Sequence, residues 1–138
     1  KINTMKIKII LIILFIYSVL ILPGCKKENP VIPTTTTVYT GYIVGNSGKI
    51  YKSNDQGSSW SELSSGVSTK LNAVYAISNN DAIAVGDYGT ILKTTNGGTN
   101  WIALTSNTSV NLKSISYNSS SKQFWISGDN GIILYASN

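Results

Sequence analysis

One turn, written twice, fixes most of what this chain can become. Ser53-Asn54-Asp55-Gln56-Gly57-Ser58-Ser59-Trp60 reads S-x-D-x-G-x-x-W, and Thr94-Thr95-Asn96-Gly97-Gly98-Thr99-Asn100-Trp101 repeats it, with the tryptophans 41 residues apart. A short polar side chain such as Asp55 or Asn96 accepts hydrogen bonds from backbone N–H groups a few residues on. Gly57 and Gly98 can take the positive φ of a tight reversal. The hydroxyls of Ser53 and Thr94 add local bonds. Trp60 and Trp101 open the returning strand and can lay a large apolar ring over the turn. Each copy therefore reads as a self-supporting hairpin corner.

A second turn keeps the same period. Gly45-Asn46-Ser47-Gly48, Gly86-Asp87-Tyr88-Gly89 and Gly128-Asp129-Asn130-Gly131 begin 41 and then 42 residues apart. Between the turns lie short runs rich in β-branched and aromatic residues, with alternation such as Lys49/Ile50/Tyr51/Lys52. Strands are expected over 39–44, 49–53, 60–63, 71–77, 82–85, 90–94, 101–104, 112–117, 123–127 and 132–136. Ser64–Lys70 and Thr105–Asn111 read as polar loops. No segment after Cys25 has a helical period. Four short antiparallel strands per unit of ~40–45 residues is the pattern of a propeller blade. The fold class expected is all-β, with about two and a half to three blades present. The repeats fall at 38–70, 71–111 and 112–138.

The first part of the chain reads differently. Lys6 and Lys8 precede the apolar run Ile9–Leu22, which has the length of a signal-peptide core and is short for a membrane span. Leu22-Pro23-Gly24-Cys25 closes it and resembles the lipobox of bacterial lipoproteins. That resemblance implies cleavage after residue 24 and acylation of Cys25, the chain's single cysteine. A lone cysteine leaves no internal disulfide framework. Residues 25–37, with Pro30, Pro33 and four threonines, read as a tether. The expected address is the bacterial cell envelope, at the outer membrane or cell surface, with the membrane as a partner through the lipid.

From Cys25 onward eight lysines face six acidic residues, a net charge of 8 − 6 = +2. That gives no electrostatic footprint for nucleic acid. The chain holds no histidine and no arginine. Histidine-based acid–base chemistry, Ser/His/Asp or Cys/His nucleophiles and histidine-ligated metals are excluded. So are guanidinium clamps on carboxylate or phosphate. No catalytic residue, metal or cofactor is expected.

The pattern G-x-x-G-x-I-x-K-[ST]-x-[DN]-x-G-x-x-W spans Gly45 to Trp60 and Gly86 to Trp101. It resembles the Asp-box repeat of bacterial neuraminidase-type propellers, and the linked glycine turn makes it most similar to the photosystem II stability/assembly-factor-like repeats. Ser53, Asp55, Gly57 and Trp60 match the Asp-box fully. In the second copy Asn96 replaces the aspartate and Asn100 the usual hydroxyl residue. The resemblance implies a structural corner remote from any active site. A binding surface is then expected at the opposite end of the blades, at Asn46, Ser47, Asp87, Tyr88, Asp129 and Asn130, with Tyr88 foremost. The function expected is a non-enzymatic envelope lipoprotein, a scaffold or recognition module for a protein or glycan. The alternatives are part of a sialidase-like glycoside hydrolase propeller, whose catalytic residues would lie outside this chain, and an assembly factor for a membrane complex. Closed propellers have ~4–8 blades, so the chain is expected to be part of a larger propeller, or to self-associate if it is complete.

Overall fold

Ten strands form where apolar and β-branched residues alternate between turn residues. They are β1 (Gly41–Val44), β2 (Ile50–Ser53), β3 (Ser61–Leu63), β4 (Leu71–Ala76), β5 (Ala82–Gly86), β6 (Ile91–Thr94), β7 (Ile102–Leu104), β8 (Leu112–Asn118), β9 (Gln123–Gly128) and β10 (Ile133–Ser137). They are seen in a computed structural model that describes residues 39–137. The leader, Cys25 and the tether lie outside the described residues. No α-helix occurs among the described residues, and the fold is all-β.

The strands pair into three antiparallel sheets, β1-β2-β3, β4-β5-β6-β7 and β8-β9-β10. Each is a propeller blade in whole or in part. The middle blade shows all four strands. The first is described from the strand equivalent to β5, and the third as far as the strand equivalent to β6. All lie in one unit, Thr36–Asn138.

Period-two alternation gives every sheet two faces. In the middle blade Ala73, Ile83, Val85 and Ile91 face forward and Val74, Ala84 and Leu92 face to the rear. The core sits between blades. The first cluster packs the forward residues Ile83, Val85 and Ile91 on Leu112, Phe124 and Ile126 of the third blade. The second packs Tyr42, Val44 and Ile50 of the first blade on Leu71, Ala84 and Leu92. Ile50, Leu71, Leu92 and Leu112 are fully buried. Truncating such a residue to alanine costs about 2–5 kcal/mol. Each blade is thus stable chiefly through its neighbour.

The three glycine turns are built alike. The N–H groups of Lys49, Thr90 and Ile132 close them onto the carbonyls of Asn46, Asp87 and Asp129. Both central residues have positive φ, at Ser47/Gly48, Tyr88/Gly89 and Asn130/Gly131. This is the type I′ sense that matches the strand twist of a hairpin.

Candidate functional site

The tryptophan turns come first because their chemistry is the more explicit. In the first, the Ser53 hydroxyl accepts from Gly57 N–H at 2.8 Å and donates to Asp55 Oδ1 at 2.8 Å. Asp55 Oδ1 also accepts from Ser59 N–H at 2.9 Å, and Oδ2 accepts the Ser59 hydroxyl at 2.6 Å. The Ser59 hydroxyl, the Ser59 N–H and the Ser53 hydroxyl, in that order, hold the Asp55 carboxyl down at a pKa of about 2. A carboxylate so engaged stays ionised and is a poor proton donor. In the second turn Thr94 and Asn96 reproduce the same bonds to Gly98 N–H and Asn100 N–H, both at 2.9 Å. Asn96 lacks the hydroxyl bond, since Asn100 stands where Ser59 does. Trp60 lies over Gly41 and Gly57.

The second turn also docks on the first blade. Lys52 Nζ donates to the Gly97 carbonyl at 2.9 Å and stands over the Tyr42 ring. Tyr42 and Trp101 meet edge to face, with centroids 6.0 Å apart at 89°. The turn is a tenon in the neighbouring blade, which suits structure rather than chemistry.

The opposite end of the blades carries the other six expected residues. Here two strands are bulged at equivalent places. In β4 the register passes from Leu71↔Gly86 to Ala73↔Val85, and in β8 from Leu112↔Gly128 to Ser114↔Ser127. The extra residues are Asn72 and Lys113. A bulge re-aims its side chain, and both reach to the rim. Asn72 Nδ2 donates to Asp87 Oδ1 at 2.7 Å and to the Leu112 carbonyl at 2.8 Å. Lys113 Nζ lies 3.7 Å from Asp87 Oδ1 and 3.5 Å from Asp129 Oδ2. Asn111 Nδ2 donates to Asp129 Oδ2 at 3.0 Å, and Asn111 Oδ1 accepts from Tyr88 N–H at 3.1 Å.

Asp87, Tyr88 and Asp129 are therefore brought into one network that crosses from the middle blade to the third. Asn46, Ser47 and Asn130 are rim residues of their own turns, with no side-chain hydrogen bond tying them to it among the described residues. Sequence reasoning missed Asn72, Asn111 and Lys113, the residues that join the two aspartates. The one available signal was Asn72 and Lys113 at matching positions, polar residues directly after Leu71 and Leu112.

Tyr88 is the bulky residue among three equivalent turn positions whose φ values match, 55° at Ser47, 56° at Tyr88 and 57° at Asn130. Its φ of 56° is unusual for a bulky residue, and it is 74 % exposed. An aromatic ring held out from the protein beside paired carboxylates, amides and one ammonium can recognise a polar surface by stacking and hydrogen bonds. It offers no nucleophile–base pair, and no metal-binding group of side chains occurs among the described residues. A family model described as "Photosynthesis system II assembly factor YCF48" matches residues 35–131. No curated protein matches the chain.

Proposed function

The chain belongs to the family of the photosynthesis system II assembly factor YCF48, and from that premise we propose that it is a non-catalytic recognition module held at the bacterial envelope by a lipid on Cys25. In this reading the tryptophan turns are Asp-box corners with a structural task. The rim around Asp87, Tyr88, Lys113 and Asp129 is the binding surface. Its ligand is a polar segment of a protein or a glycan.

One observation carries the reading, the strained and exposed Tyr88 set beside a charge network shared by two blades. Backbone strain of this kind costs about 1–3 kcal/mol and gathers at functional sites. The family description favours a protein over a glycan, namely a subunit of a membrane complex awaiting assembly.

The test is photocrosslinking from position 88 in intact cells, with position 56, on the opposite end of the blades, as control. A membrane-protein adduct from position 88 alone supports the reading. Tyr88→Gly, which relieves the backbone, should leave folding intact and remove ligand binding. Equal labelling from both positions, or binding that survives Tyr88→Gly, would sink it. For the anchor, Cys25→Ser should move the protein out of the membrane fraction.

A further inference from the structure

The chain enters the blades at a definite end. Gly41 pairs with Ser53 at the mouth of the first tryptophan turn, and β1 runs from there toward the glycine turn that follows Val44. Thr40 donates to Asn54 Oδ1 of the same tryptophan turn at 3.5 Å, and a Cβ on Gly41 would lie 3.4 Å from the Trp60 ring. The second tryptophan turn lies at this end too, since Lys52 donates to the Gly97 carbonyl. The glycine turns, with Asp87, Tyr88 and Asp129, close the strands at the opposite end.

We propose that this polarity orients the protein at its membrane. The tryptophan turns face the bilayer and the rim faces away from it, so the partner read at Tyr88 is the water-exposed domain of a membrane protein. The inference rests on the lipid anchor and the binding rim of the preceding reading. Fifteen residues separate Cys25 from Gly41, and a chain of that length spans at most about 50 Å. Strands rise ~3.3 Å per residue, so the five residues of β5 with a turn at either end set the rim roughly 25 Å beyond the tryptophan turns. To lay the rim on the bilayer, the connecting residues would have to run back along that whole height. Half their reach would be spent, at a cost in conformational entropy. With the tryptophan turns toward the bilayer there is no such detour.

The charges of the rim agree with this. Lys49 pairs with Glu62 beside the first glycine turn, and Lys113 stands between Asp87 and Asp129. Lys70, whose carbonyl accepts the Asp87 N–H, balances the remaining carboxylate. A surface that docks on anionic headgroups carries an excess of cations around several apolar side chains. The rim has no such excess, and Tyr88 is the exposed aromatic of its three turns. Interleaved donors and acceptors of balanced charge suit the polar surface of a protein domain in water.

The test uses the full-length lipidated protein in vesicles that carry a headgroup-labelled acceptor lipid. The Cys25 sulfur is acylated, so one introduced cysteine takes the donor dye. Ser58→Cys and Thr95→Cys put the dye at the tryptophan turns, and Ser68→Cys and Ser109→Cys put it at the rim end, all at exposed residues. Energy transfer to the bilayer should be at least about twofold stronger from the first pair, given the ~25 Å between the two ends. Equal transfer from the four sites, or stronger transfer from the rim pair, overturns the orientation. Protein that does not float with the vesicles refutes the anchor, and the orientation with it. Adducts formed at position 88 in intact cells identify the partner. Crosslinked peptides from a water-exposed domain are expected. Crosslinks to lipid or to membrane-spanning peptides overturn this inference while leaving the rim a binding surface, whereas no adduct at all refutes the rim as well.

Discussion

Asp55 and Asn96 do the same task with different chemistry, and the difference is testable. Asp55 binds its turn as an anion, with a pKa lowered to about 2 by the Ser59 hydroxyl, the Ser59 N–H and the Ser53 hydroxyl. A depressed carboxyl contributes stability that is full above its unfolded value of ~3.9. That contribution is lost as pH falls through about 2. Asp55→Asn keeps one acceptor but cannot take the Ser59 hydroxyl on its amide nitrogen. Urea midpoints should place it below the parent protein at neutral pH, with the gap closing between roughly pH 4 and pH 2. A gap constant down to pH 2 would show that the charge is idle. Tyr42 offers the opposite experiment. Its hydroxyl is buried without a hydrogen-bond partner among the described residues, as is Trp101 Nε1. Burial, and then the charge of Asp81, push its pKa up. An unsatisfied buried group costs about 1–3 kcal/mol, so Tyr42→Phe should stabilise the protein by about 1 kcal/mol in thermal or urea unfolding.

Among elements, the glycine turns differ in what surrounds them. A Cβ on Gly89 would lie 2.0 Å from the Thr108 carbonyl oxygen, and one on Gly131 would meet nothing within 4 Å. Both glycines have positive φ, 68° and 72°. Gly131→Ala should therefore cost only the backbone penalty, about 1–2 kcal/mol. Gly89→Ala must also move backbone, which adds about 1–3 kcal/mol. Equal losses in denaturant unfolding would refute the contact. The strands themselves were legible in the sequence, because turn residues recur at a fixed period and bracket each apolar run. Their ends shift by a residue or two from the expected ranges, as at β1, which starts at Gly41 rather than 39. The bulges at Asn72 and Lys113 were not legible. A bulge is a mismatch of register between two strands, and alternation along one strand cannot show it. The rim was accordingly half read. Asp87, Tyr88 and Asp129 stand in turns that announce themselves, whereas Lys113 hides in a strand.

At the scale of the whole described unit, Lys113 is the charge that ties the middle and third blades at the rim. Its side chain is about half exposed, and the pairs are 3.5 and 3.7 Å long. Exposed pairs of this kind contribute about 0–1 kcal/mol, far less than the apolar junction below them. Lys113→Met should lower stability by less than about 1 kcal/mol. The loss should fade near 1 M salt, where the Debye length is about 3 Å. A larger, salt-independent loss would mean that the lysine stem carries packing.

The alternating bulk across the junctions has an evolutionary corollary. Tyr42 and Trp101 pack on the cluster that holds Ala84 at one seam, and Ile83 and Val85 abut Phe124 and Ile126 at the next. The blades share a backbone but not a key. A tandem duplicate of the middle blade would set Ile83 and Val85 against alanines where the present seam has the larger Phe124 and Ile126. The order of the repeats is therefore written into side-chain volume, and such an array can lengthen only when a duplication is followed by matched substitutions on both sides of the new seam.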